Sequence, residues 1–198
     1  MAQIQYNKTF LIQINKDLAV RQNALPVLQS KEAALRAEAR RIRMQVKEME
    51  EKIESLIESL APFARLWSEF PELVFLEKVI FKEKKIAGVK VAGIEDVLFR
   101  VESFSLFAHP AWFLQGVQII KQVLRLKIEL NTMGKILESV EYARRKTTQK
   151  VNLYEKVQIP YFEEAIRRIK RFLEDEENLS KSSQKVIKKR MEEPAVTV

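Results

Sequence analysis

The sequence predicts a mainly α-helical chain. Its N- and C-terminal helices form a long antiparallel coiled coil within one chain, with a small β-hairpin-containing head between them. The first observation is a narrow stripe through the N-terminal third. Steps of three and four from Leu11 meet Ile14, Leu18, Arg21, Leu25, Leu28, Glu32, Leu35, Ala39, Ile42, Val46, Met49, Ile53, Leu56 and Leu60, apolar throughout except Arg21 and Glu32. The second is a matching stripe at Val123, Leu126, Leu130, Met133, Leu137 and Val140, which continues past Arg144 and Thr147 to Val151 and Tyr154. The third is a change of texture between them. From Leu73 to Phe107 β-branched and aromatic residues gather, punctuated by Gly88 and Gly93. An apolar stripe that narrow cannot be buried by its own helix, and a chain that turns back once can only pair its two stripes antiparallel.

In chain order, residues 8–66 read as the N-terminal coiled-coil helix, 67–110 as a head with short strands, 111–192 as the C-terminal coiled-coil helix, and 193–198 as a disordered tail. Asn7 or Thr9 offers an N-cap oxygen. The first helix is expected to run to about Trp67 and to kink at Pro26, which has no N–H and collides with the carbonyl of Gln22. Pro62 and Pro71 mark its end. Two or three short strands follow, packed by Phe104, Leu106, Phe107, Trp112 and Phe113. The His109-Pro110 pair starts the second long helix. Pro160 interrupts it, and the stripe resumes one residue out of phase at Phe162, Ile166, Ile169 and Leu173. Placing Leu66 near Val117 puts Pro26 at the level of about residue 157, brings Arg21 within a turn of Glu163 and Glu164, and turns Glu32 toward Lys150. The basic segment from Lys181 then projects beyond the N-terminus as a single helix.

Composition removes several function classes. There is no cysteine, which excludes disulfides and thiolate metal sites, and the one histidine, His109, has no second histidine to complete a metal site. Neither a G-x-x-x-x-G-K-[ST] loop nor a G-x-G-x-x-G turn occurs. Glu163-Glu164 and the run Glu174 to Glu177 read as solvated helix faces and not as acid–base pairs. No catalytic, metal-binding or cofactor-binding residue is therefore expected, nor any cofactor. No signal peptide is seen at Met1 to Gln22, and no apolar run reaches the roughly 20 residues that span a bilayer. Net charge is +8, distributed as +3 over residues 1–66, −1 over 67–110 and +6 over 111–198. Basic clusters at Arg40-Arg41-Arg43, Arg144-Arg145-Lys146 and Arg167-Arg168-Lys170-Arg171 suit phosphates or an acidic protein surface equally. Residues and physics alone leave a basic coiled-coil hairpin without reactive chemistry.

One stretch is more specific. Thr147-Thr148-Gln149-Lys150-Val151-Asn152-Leu153-Tyr154-Glu155-Lys156-Val157-Gln158-Ile159-Pro160 resembles the T-T-x-[KR]-V-N-x-[LFY]-E-x-V-x-I-P segment of the D subunits of V-type (V/A-type) ATPases. The matching positions are Thr147, Thr148, Val151, Asn152, Glu155, Ile159 and Pro160. Ile86-Ala87-Gly88-Val89 resembles the family's I-A-G-V segment, and Asn7-Lys8-Thr9 with Leu11 resembles the start of its first helix. Ser105-Leu106-Phe107 and Pro110-Ala111-Trp112 fit its head-to-helix junction. The resemblance covers about residues 7–190 and suggests the bacterial branch. Pro26 departs from many members, in which that helix is uninterrupted.

The resemblance implies a non-catalytic central rotor shaft in a peripheral ATPase sector at the cytoplasmic face of the membrane, with no direct membrane insertion. It implies three partners: the hexamer of catalytic and non-catalytic nucleotide-binding subunits around the termini, the small rotor F subunit, and a membrane-side rotor connector at the head. On that reading Arg167, Arg168, Lys185, Lys188, Lys189 and the cluster near Arg40 face the hexamer, and apolar residues around Tyr142 and Tyr154 meet the F subunit. The alternatives from the residues are a basic coiled-coil binder of nucleic acid, with salt-sensitive affinity, and an adaptor that dimerises through its seam.

Overall fold

The computed structural model describes residues 4–105 and 109–192. The expected tail at 193–198 and the expected packing of Leu106 and Phe107 lie outside these residues. The chain is mainly helical, a helical hairpin with a small β head. It divides into two compact units, one of residues up to Ser30 with those from Thr148, the other Lys31–Thr147.

Helix α1 (Lys8–Leu60) contributes to both units. Asn7 caps it, its Oδ1 accepting the Phe10 N–H at 2.6 Å. Pro26 lies exposed inside α1, and the chain remains helical on both sides of it. The helix ends at Leu60, earlier than the sequence suggests. Pro62 cannot donate to the helix, and the path tightens into a 3-10 turn at Ala61–Phe63 before the short helix α2 (Ala64–Ser68).

In the unit Lys31–Thr147, β1 (Val74–Ile86) and β2 (Val89–Val101) form one antiparallel hairpin. These are two strands of 13 residues each, in place of the short strands expected. Register shifts between Leu76 and Lys78 and between Ile80 and Phe81 leave Glu77 and Glu95 as extra residues, and such bulges let a long pair twist without breaking. Gly93, which reads as a break in the sequence, lies inside β2 opposite Lys82; a Cβ there would meet the Lys84 side chain at 3.0 Å. The turn is Ala87-Gly88, with φ of 47° and 81°, the two positive values that a two-residue hairpin of the I′ kind needs.

The hairpin is anchored at both ends. Its base joins Leu73, Phe113 and Val117 of helix α3 (Trp112–Leu153), with Phe70, Val74, Val101, Phe104 and Trp112 around them. Its tip, Ile86, Ala87, Val89 and Val91, packs on Leu35, Ala39, Ile42, Ile136 and Val140. From Phe113 to Ile136 the helix rises about 35 Å, and a strand the length of β1 covers about 40 Å. The hairpin thus lies along the helices of its own unit. Phe70 also packs so close to Gly116 that an added Cβ would sit 2.6 Å from its ring.

In the other unit, α1 packs against helix α4 (Ile159–Glu192). Ile14, Ala165, Ile166 and Ile169 are its buried residues, flanked by Phe10, Leu11, Leu18, Phe162 and Leu173. Tyr6 stacks on Phe172 at 5.0 Å and Arg21 reaches Gln158, so numbering falls along one arm as it rises along the other. Between α3 and α4, Tyr154–Gln158 form a π turn, in which the Ile159 N–H donates to the Tyr154 carbonyl. The sequence places an interruption at Pro160 itself. The chain instead stays helical and inserts its extra residue just upstream, where a wider turn keeps carbonyls clear of the proline ring.

A Cβ added at Gly88 would meet no atom within 4 Å, so only the left-handed backbone requires glycine there. Gly88→Ala is expected to cost about 1–2 kcal/mol, read as a lower urea midpoint with an unchanged m-value.

Candidate functional site

The seam residues identified from sequence fall into two classes of burial. Leu35, Ile42, Ile53 and Val140 are buried, while Leu18, Leu25, Leu28, Val46, Met49, Val123, Leu130 and Leu137 are half-buried. The structure adds Ile136, Phe113 and Val117 to the core. Ile136 precedes the stripe residue Leu137 and escapes a strict three-four spacing; an apolar neighbour one step before a seam position is the available signal.

Two polar residues interrupt the α1 stripe, and each is held. The Glu32 carboxylate, 13% exposed, pairs with Arg36 at 2.8 Å and Arg144 at 4.0 Å. Lys150, its expected partner, is exposed and off the seam, whereas Arg144 occupies a stripe position. Arg21 donates from Nε to Gln158 Oε1 at 2.8 Å and from Nη1 to the Asp17 carbonyl at 2.8 Å, and its guanidinium lies 4.7 Å over the Phe162 ring. It does not meet Glu163 or Glu164, the partners expected from sequence. The residue inserted by the π turn brings Gln158 and Phe162 to the seam and leaves both glutamates exposed, Glu164 paired with Arg168.

The segment 147–160 comprises the end of α3, the whole π turn and the first two residues of α4. Thr147 is buried and its Oγ1 donates to the Ala143 carbonyl at 2.9 Å. Thr148, Val151 and Ile159 are half-buried, and Asn152, Glu155 and Pro160 are exposed. Gly88 lies far along the sequence, at the hairpin tip in the unit Lys31–Thr147.

Arg167, Arg168, Lys185, Lys188 and Lys189 are all exposed on α4. From Glu174 to Met191 every residue is exposed, Leu179, Val186, Ile187 and Met191 among them. The Glu177 carboxylate accepts from Lys181 Nζ at 2.7 Å, and this hydrogen bond and charge hold its pKa below the usual carboxylate range. The small stability it lends is present at neutral pH and disappears as pH falls through that lowered value. On α3, Tyr142 is 59% exposed with Lys146 over its ring, and Leu153 is exposed as well, as is Val157 in the π turn.

His109 is a packing residue, its ring 5.3 Å from Phe113 and 5.9 Å from Phe104. Among the described residues no group of three or more His, Cys, Asp or Glu is placed to hold a metal ion, and no helix is long and apolar enough to cross a membrane.

Arg144→Ala would leave a largely buried Glu32 carboxylate with the exposed Arg36 as its remaining close cation among these pairs. It is expected to lower stability by about 1 kcal/mol, whereas Arg168→Ala, on an exposed pair, should cost less than about 0.5 kcal/mol. Paired thermal melts check the contrast.

Comparison with known proteins assigns these features to one family. The family model for the D subunit of ATP synthase matches residues 10–189. A V-type ATP synthase D subunit of Borreliella burgdorferi is 28% identical over 191 residues, covering 95% of each chain. The protein of that name from Chlamydia pneumoniae is 26% identical over 196 residues, covering 96% of this chain and 94% of its own. That from Chlamydia muridarum is 27% identical over 175 residues, covering 85% and 86%. With a match from Phe10 to Lys189 that takes in the seam, the hairpin, the π turn and the basic arm, the chain belongs to the family of ATP synthase D subunits.

Proposed function

We propose that this chain is the non-catalytic central rotor shaft of a V/A-type ATPase or ATP synthase, transmitting rotation between the nucleotide-binding hexamer and the membrane ion-translocating rotor. The observation that carries the proposal is a pair of long helices closed on each other by apolar seams, with a basic helical end that is exposed from Glu174 to Met191. A shaft needs stiffness and asymmetric contact surfaces. It needs no reacting group.

The parts divide accordingly. Residues 8–66 and 111–192 are the two strands of the shaft, and 67–110 is the head. The exposed cations Arg167, Arg168, Lys185, Lys188 and Lys189 face the hexamer, and pressing on each surrounding protein in turn shifts its conformational populations. The exposed apolar residues Leu153 and Val157 receive the small rotor F subunit, together with Tyr154. Phe63 and Leu66, at 53% and 42% exposed and just before the head in sequence, meet the membrane-side connector. The chain works as a peripheral component at the cytoplasmic face of the membrane.

A pull-down from source cells should bring ATPase catalytic subunits with this chain; their absence would refute the assignment. Ile42 is 1% exposed in the seam, so Ile42→Asp places an unpaired charge there. A loss of about 3–5 kcal/mol is expected in thermal melts, together with uncoupling of ATP hydrolysis from ion transport. Truncation after Leu179 should leave the helical melt intact and weaken coupling, and unchanged ion pumping would contradict the role given to the basic end.

A further inference from the structure

We propose that the level of the helix pair marked by Pro26 and the π turn Tyr154–Gln158 is a compliant joint, latched by Arg21. Three independent features meet there, all in the unit formed by the N-terminal 30 residues and those from Thr148.

The first is a missing hydrogen bond on each arm. Pro26 cannot donate to the Gln22 carbonyl, and Pro160 cannot donate to the Lys156 carbonyl. The second is position. Arg21 contacts Gln158 and Phe162, and on an antiparallel partner the residues from Arg21 to Pro26 lead back to the start of the π turn. The two backbone defects therefore face each other, and neither helix bridges the weakness of the other. The third is thin cover. Among the unit's described residues the buried ones are Ile14, Ala165, Ile166 and Ile169, whereas none of residues 19–30 and 148–160 is buried. Helical segments with few buried apolar contacts and incomplete hydrogen bonding open at low free energy.

Arg21 closes this level. Its guanidinium bonds Gln158 within the π turn, bonds the backbone of its own helix one turn earlier at Asp17, and covers Phe162 just beyond Pro160. One side chain thus holds the chain on both sides of Pro160. Pro26 adds the α1 half of the joint, and the phase shift written into the α4 stripe makes the π turn the other half.

Hydrogen exchange followed by mass spectrometry on the full chain tests this without reference to any partner, so its outcome is separate from that of the rotor assignment. Amides at 22–30 and 153–162 are expected to exchange at least about tenfold faster than those at 164–170 of the same unit. Pro26→Ala restores a donor and should slow exchange by about fivefold on both arms, at 22–30 and at 153–162. Arg21→Met keeps an apolar stem and should speed both segments by about fivefold, while protection at 164–170 is retained. Equal protection across all three segments would overturn the joint. A Pro26→Ala effect confined to α1 would overturn the coupling of the two defects, and an Arg21→Met chain with unchanged exchange would overturn the latch.

Discussion

Burial of two narrow apolar stripes is the constraint from which the rest of this structure follows. Leu35, Ile42, Val140 and Ile169 are each less than 2% exposed, and each contributes about 1.5–3 kcal/mol relative to an exposed side chain. The ion pairs are a different order of effect. Most join residues three or four apart on one helix with both partners solvated, as in Lys47–Glu51 and Lys181–Glu177, and such pairs contribute a few tenths of a kcal/mol. Helix propensity cannot substitute for the seam either, because long helices in water gain most of their stability from packing of the apolar face. The seam therefore decides the register, and charges adjust to it: Glu32 pairs with Arg144, which the stripe brings to its level.

The same constraint explains why the two-stranded hairpin does not stand free. Two strands alone are marginal in water. Here Ile86, Val89 and Val91 extend the seam cluster of their unit, so the hairpin tip gains its burial from residues already committed to helix pairing. The left-handed Ala87 is tolerated at the turn because the surrounding contacts over-determine the conformation, and its half-buried methyl group packs on the same cluster.

What can be read from the chain alone tracks how local the physics is. The stripes, a cap at Asn7 or Thr9 and the presence of a hairpin depend on spacing and backbone preference within a few residues and are legible, whereas which of Gly88 and Gly93 makes the turn is not. The one-residue phase slip after Pro160 is visible too, since Phe162, Ile166 and Ile169 fall off the spacing of Val140 and Thr147. Its mechanism is not visible: a proline alone does not say whether the chain breaks, kinks or inserts a π turn upstream. The level of Arg21 is read correctly, within a turn of Glu163 and Glu164, but the side chains that hold it are Phe162, which the shifted stripe already places on the seam, and Gln158, which the stripe does not single out. Strand length is misjudged because Gly93 looks like a break, and only the neighbouring Lys84 side chain shows why a strand interior accepts it there. The exposed cations of α4 are legible as a basic face, while the partner they meet is a property of a second molecule and has no trace in spacing.

The basic end of α4 is the place where this logic runs in reverse. Past Leu173 the helix buries nothing, yet its charge order suits a helix: Glu174 to Glu177 come first, Lys181 sits one turn beyond Glu177, and Lys189 and Arg190 occupy the last turn. Acid before base at that spacing, and base at the C-terminal end, favour helix over coil by small increments that add along the segment. Continuity with the packed part of α4 removes the nucleation cost that a detached segment would carry. A helix held in this way presents Leu179, Val186, Ile187 and Met191 among its cations before any partner arrives. The ordering cost of association is thus largely met inside the chain, and a contact that must form and break repeatedly, as the proposed rotor role would require, gains from it at every encounter.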